Sequence, residues 1–175
     1  MKKKRGFTFF QELKTGTDFS RRERELKKLV RENQAVRQNA EPLLQLGMLY
    51  DQWALIAPKK HREKLQKRAE ACFNQALRVG APKWRVLNGL GIVSLHREMH
   101  KRALGLFQKV HKLHRGSASH NALGNVYRRL RHFALSKQHY EKAVRLAGHP
   151  IEKSAAEYNL SQLKKEITSY NQVDI

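Results

Sequence analysis

Between Trp84 and Pro150 the apolar and polar positions spell one pattern twice. Leu90-Gly91 is followed by Ala103, Phe107 and Val110, and Leu123-Gly124 by Ser136, Tyr140 and Ala143, each partner lying 33 residues further on. A period of this length, built on a Leu-Gly pair, a small residue twelve positions after the Gly and an aromatic four beyond that, predicts stacked helical hairpins. The glycine lets two antiparallel helices approach closely, the small residue accepts that approach, and the aromatic fills the gap toward the next hairpin.

A third copy precedes these two. Leu43, Leu46-Gly47 and Tyr50 repeat the first half of the pattern, and Ala69, Phe73 and Ala76 repeat the second. Here the small residue follows its Gly by 22 positions instead of 12, so ten residues are inserted around Pro58. Trp53, Leu55, Ile56 and Leu65 keep the insertion apolar, which predicts that both helices lengthen and that the hairpin tip reads Lys59-Lys60-His61-Arg62. Gly80-Pro82, Gly116 and Gly148-His149-Pro150 punctuate the copies.

The flanks read as caps. Residues 20–39 predict a helix with one thin stripe of Leu26, Leu29, Val30 and Val36 under a basic remainder, and a helix over about 151–170 buries Ala155, Ala156, Tyr158, Leu160, Leu163 and Ile167. Residues 1–19 form a basic, aromatic-rich arm in which Gly6, Gly16 and Asp18 interrupt any periodicity, and 171–175 form a short tail. The expected fold class is all-α: an α-solenoid of three helical hairpins over 40–170 with N- and C-terminal capping helices. Few Pro and Gly, and no alternating Val/Ile/Thr runs, argue against a sheet.

Charge changes this picture most. The chain has 36 Lys and Arg against 15 Asp and Glu, a formal +21, and from Ala71 to Tyr140 thirteen basic residues face the single acid Glu98. Unbalanced charge of this kind repels itself, so a polyanionic partner is the economical explanation. The candidate contacts are Lys2, Lys3, Lys4 and Arg5 in the arm, Arg21, Arg22 and Arg24 in the capping helix, Lys59, Lys60 and Arg62 at the tip, and Lys101, Arg102, Lys109 and Lys112 on the second helix of copy two.

The segment Asn121-Ala122-Leu123-Gly124-Asn125-Val126-Tyr127, followed by Ala134 and Tyr140-Glu141-Lys142-Ala143, resembles a tetratricopeptide (TPR) repeat nearly throughout. Copy two is similar through Leu87, Leu90, Gly91, Ala103, Phe107 and Val110, with Ser94 where the family usually has an aromatic; copy one departs by its insertion. The resemblance covers roughly residues 40–170 and implies a binding scaffold whose first helices line a concave peptide groove. It implies Leu44 and Met48 in copy one, Arg85, Asn88, Ile92 and His96 in copy two, Asn121, Asn125 and Arg128 in copy three, and Asn159 in the last helix as the groove residues. Asn carries both a donor and an acceptor and can grip a peptide backbone. The Lys and Asn pair with which some chaperone adaptors of this family clamp a C-terminal carboxylate is missing, since Leu44 and Met48 occupy that face.

No catalytic constellation emerges: the chain has no Gly-rich phosphate loop, no nucleophile motif and no converging carboxylates. His96 with His100, and His111 with His114, have the spacing of ligands on one helical face, but no Cys accompanies them and acids are scarce, so no metal or cofactor is expected. The single cysteine, Cys72, excludes an internal disulfide and suits a reducing, cytoplasmic setting. The apolar run Phe7-Thr8-Phe9-Phe10 is too short for an export signal.

Two classes of function fit these features. The first is a non-enzymatic scaffold holding an acidic or extended segment of a partner protein, with no small-molecule substrate. The second is an RNA-associated factor, for example on a ribosomal particle, bound mainly through phosphate. A third reading docks residues 1–31 on an anionic membrane surface.

Overall fold

A computed structural model of the protein describes residues 16–34 and 39–173. Its elements are α1 (Gly16–Gln34), α2 (Glu41–Ile56), α3 (Lys59–Arg78), α4 (Lys83–His96), α5 (His100–Leu113), α6 (Ser117–Arg129), α7 (Phe133–Leu146) and α8 (Pro150–Val173). Among the described residues every regular element is a helix, and α1 packs on α2, α2 on α3, α5 on α6, α6 on α7 and α7 on α8. The chain divides into two compact units, Met1–Val93 and Ser94–Ile175, with the boundary inside α4.

Local chemistry explains where the helices start and stop. Pro42 stands in the first turn of α2, where its missing N–H is a donor the helix does not use. Three helices end on the same turn: the N–H of Ala81, Met99 and His132 bonds to the carbonyl of Ala76, Ser94 and Tyr127, and the preceding residue bonds to Leu77, Leu95 and Arg128. This double closure needs a left-handed residue, and Gly80, Glu98 and Arg131 supply it at φ 91°, 59° and 58°. Glycine adopts that conformation without strain, whereas Glu98 and Arg131 take it at a cost of ~1–2 kcal/mol each. Glu98 and Arg131 are 33 residues apart, so the backbone turn repeats with the period of the sequence pattern.

In the first unit Phe73 is the centre of packing. A Cβ on Gly47 of α2 would come within 2.9 Å of its ring and one on Gly89 of α4 within 2.4 Å, so the ring lies against two glycines. Leu43, Leu44, Leu46, Leu49, Ala54, Leu65, Ala69, Ala76, Val86 and Val93 are among the residues that share the core with it. Helix α1 covers α2: Leu26 is fully buried, Phe19 stacks on Trp53 at 5.9 Å, and the Tyr50 hydroxyl donates to Glu23 at 2.6 Å. In the second unit Tyr140 of α7 lies on Gly124 of α6, where a Cβ would meet its ring at 2.6 Å. The Ser136 hydroxyl donates to the Gly124 carbonyl at 2.8 Å, so the small residue both permits and fastens the approach.

Several details depart from the sequence reading. Helix α1 begins at Gly16 rather than Ser20, taking Gly16 and Asp18 into its first turn, where Asp18 faces the helix dipole favourably and Arg21 lies 3.6 Å from it. Leu29 is 40% exposed and leaves the buried stripe, while Val36 falls outside the described residues. The insertion does become helix, giving 16 residues in α2 and 20 in α3 against 13 in α6 and 14 in α7. The tip itself is Ala57-Pro58; Lys59, Lys60, His61 and Arg62 form the exposed first turn of α3.

The glycine contacts give a direct test. Gly124→Ala places a methyl inside the Tyr140 ring contact and is expected to cost ~1–3 kcal/mol. Gly105→Ala, inside α5 with nothing within 4 Å of the added carbon, is expected to stabilise by ~0.8–1 kcal/mol through helix propensity alone. Chemical denaturation of both variants checks the opposite signs.

Candidate functional site

The residues expected to bind a partner fall on both units, and each unit uses them differently. In the second, α6 and α8 bring Asn121, Asn125, Arg128 and Asn159 onto a half-buried polar face. Asn159 donates through Nδ2 to Asn121 Oδ1 at 3.0 Å, and Asn125 accepts through Oδ1 from the Tyr140 hydroxyl at 2.7 Å. Each bond uses one end of an amide and fixes its orientation. Asn121 and Asn125 thereby keep their NH2 donors, and Asn159 its carbonyl, for a further partner. Arg128 stands beside them, its Nε 3.7 Å from Glu166 of α8.

In the first unit the expected groove residues are more deeply committed. Leu44 is only 3% exposed and belongs to the core, so it does not line an open surface. Met48 is partly buried against that core. Arg85 is held by Glu41 of α2 through two bonds of 2.6 and 3.1 Å, joining the starts of α2 and α4. Those bonds hold the Glu41 carboxyl below its ordinary range. Asn88 and Ile92 are half-buried, as is His96 in the second unit.

The basic residues divide by exposure. Lys59, Lys60, Arg62, Lys101, Arg102, Lys109 and Lys112 are exposed, the last four on α5 opposite its buried Ala103, Phe107 and Val110. In α1, Arg22 is half-buried, donating to Glu25 at 2.8 Å and to Gln45 at 3.4 Å, whereas Arg21 and Arg24 are exposed. A shallow basic groove on α3 is lined by Lys60, Glu63, Lys64, Lys67 and Arg68. Lys2, Lys3, Lys4 and Arg5 lie outside the described residues.

The sequence did not disclose the histidine cluster of the second unit. His120 of α6, 6% exposed, has its ring centre 4.5 Å from that of His111 in α5 and 5.1 Å from that of His139 in α7. His120 Nδ1 and His139 Nδ1 are 3.1 Å apart, so one donates to the other. The Ser119 hydroxyl donates to the Gly116 carbonyl at 2.9 Å and lies 2.9 Å from His111 Nδ1, which therefore carries a proton to give it. Burial pushes His120 down to about 4, reinforced by the neighbouring charges of His111, His139, Lys142 and Arg115. Burial also lowers His111 and His139, with Arg115 and Lys142 acting in the same direction on the first and Lys142 and His111 on the second. No three His, Cys, Asp or Glu side chains among the described residues are placed to hold one metal ion, and the pairs His96/His100 and His111/His114 do not form such a group.

Burial pushes the Cys72 thiol up to about 11, which makes it a packed thiol at neutral pH. No described helix is long and apolar enough to cross a membrane. Comparison with protein-family models gives no match, and comparison with curated proteins gives none either.

The cluster predicts acid lability with a defined window. Because the folded His120 titrates near 4 and the unfolded one near 6.5, the unfolded chain binds the extra proton in between and stability falls as pH drops through that interval. The loss amounts to ~1.4 kcal/mol for each unit by which a histidine is held down. The lowered Glu23 and Glu41 lose their contribution only as pH falls below 4.5, which separates the two effects. Melting temperature followed from pH 7 to 4.5 should fall for the natural chain and fall less steeply for His120→Phe. Equal slopes would remove His120 from the account.

Proposed function

We propose that this protein is a non-enzymatic, TPR-like helical-repeat scaffold of the cytoplasm that holds an acidic, extended segment of a partner protein. Three hairpins, α2–α3, α4–α5 and α6–α7, are the repeats, with α1 and α8 as the caps that cover their open faces. The resemblance of residues 40–170 to TPR repeats and the 33-residue recurrence of the helix-ending turns support the repeat assignment. Glycine–aromatic packing in α2–α3 and α6–α7 supports it further.

The observation that carries the binding reading is the amide face of α6 and α8. Asn121, Asn125 and Asn159 are oriented by bonds that leave a donor or acceptor of each for a peptide backbone, and such groups read main chain without reading side chains. Arg128 beside them, and a chain whose only acids from Lys83 to His149 are Glu98 and Glu141, favour a negatively charged ligand. A second reading, RNA held by phosphate, is favoured by the exposed Lys101, Arg102, Lys109 and Lys112 of α5, a helix whose own sequence holds no Asp or Glu.

An alanine substitution of Asn121 and Asn159 together separates the two. It should weaken binding of a poly-glutamate peptide by roughly tenfold, given ~0.5–1.5 kcal/mol for each hydrogen bond removed, and leave RNA binding unchanged. Substituting Lys101, Arg102, Lys109 and Lys112 should do the reverse. Isothermal titration with both ligands checks this, and equal losses from both sets would contradict the division.

A further inference from the structure

Beyond the peptide face, the end of the second unit where α6 turns into α7 carries basic and aromatic side chains interleaved. Arg129 closes α6, Arg131 and His132 form the turn, and Phe133 opens α7. Tyr170, near the end of α8, completes the group. The Arg131 guanidinium lies 5.4 Å above the Tyr170 ring, and the Phe133 ring meets Tyr170 at 6.0 Å and 70°. His132 stacks on Tyr127 at 6.2 Å and 16°. Tyr170 is nevertheless 47% exposed, and Arg129, Arg131 and His132 are exposed as well.

This arrangement differs from an ordinary charged surface in two ways. A solvated Lys/Arg face has flexible cations and no rings, whereas here an aromatic ring is held by a cation and a second ring while much of its surface faces water. A held ring offers a flat apolar platform at little cost in side-chain freedom, and the guanidinium beside it offers a second plane that also attracts phosphate. The turn itself is defined, since Arg131 N–H and His132 N–H close it on Arg128 and Tyr127. An acidic peptide would use the two arginines but has no group that needs the ring. A nucleotide uses both, its base on the ring and its phosphate on the guanidinium.

We infer that the patch formed by Arg129, Arg131, His132, Phe133 and Tyr170 binds single-stranded nucleic acid, one base stacking at Tyr170 and the backbone running along Arg129 and Arg131. Spacing along the chain does not reveal such a platform, because Tyr170 stands 39 residues after Arg131 and only the packing of α8 on α7 unites them. The inference shares no residue with the amide face of Asn121, Asn125 and Asn159, so either can fail alone.

The test is fluorescence anisotropy on the full chain with two probes: labelled oligo-uridine of about 15 nucleotides and inorganic polyphosphate of similar charge, which has no bases. Tyr170→Ala should weaken oligo-uridine roughly fivefold or more, as expected when one base–aromatic stack is removed, and leave polyphosphate unchanged. Tyr170→Phe should keep both affinities, and its ring retains the packing with Phe133, so it controls for structural damage. Replacing Arg129 and Arg131 by Ala should weaken both probes and flatten the salt dependence of oligo-uridine binding by ~0.7 for each phosphate no longer neutralised. Three results would overturn the inference: no oligo-uridine binding by the natural chain at about 50 mM salt, equal weakening of both probes in Tyr170→Ala, or displacement of oligo-uridine by poly-glutamate as readily as by polyphosphate.

Discussion

Close approach of an aromatic ring to a glycine in a neighbouring helix is the interaction on which the described structure rests. Phe73 lies against Gly47 and Gly89, and Tyr140 against Gly124, in each case nearer than any side-chain carbon on the glycine would permit. This approach sets the spacing of the paired helices, and that spacing decides which residues are buried. Ala69 and Ala76 are buried in α3, and Ser136 and Ala143 in α7. Polar residues one helical step away then fall at the rim. Asn125 shows the link from packing to surface chemistry, because the ring that covers Gly124 also orients the Asn125 amide through its hydroxyl.

The same economy governs the charged residues. Acids are few, and several of them serve as internal fasteners. Glu23 takes the Tyr50 hydroxyl and Lys27, Glu41 holds Arg85, and Glu166 lies near Arg128. Exposed pairs such as Lys67 with Glu63 contribute at most ~1 kcal/mol. With the acids so used, α5 presents its Lys and Arg outward without acidic neighbours on the same helix. Self-repulsion among them weakens the fold slightly, and the anionic partner proposed above would relieve it.

How far the chain was legible followed from the range of each interaction. In α2–α3 and α6–α7 the glycine and aromatic positions meet between two consecutive helices, so helix order and the lengthened first pair could be read directly. Leu44 was misplaced because α2 is apolar on nearly all sides, burying Leu43, Leu44, Leu46 and Leu49 between neighbours, and a helix of that kind has no face that periodicity alone marks as open. Arg85 looked available because its partner Glu41 lies 44 residues earlier. The histidines were judged by spacing along single helices, whereas His111, His120 and His139 come from three helices and meet only through packing.

The central claim, that ring and glycine act as one unit, is tested most directly by a double-mutant cycle between Gly124 and Tyr140. The single variants Gly124→Ala and Tyr140→Leu and the double variant would be unfolded with denaturant alongside the natural chain. If the ring is what excludes a methyl at Gly124, the alanine should cost little or nothing once Tyr140 is Leu, giving a coupling of ~1–3 kcal/mol. Strictly additive effects would mean that Gly124 is needed for some other reason, and would contradict the account.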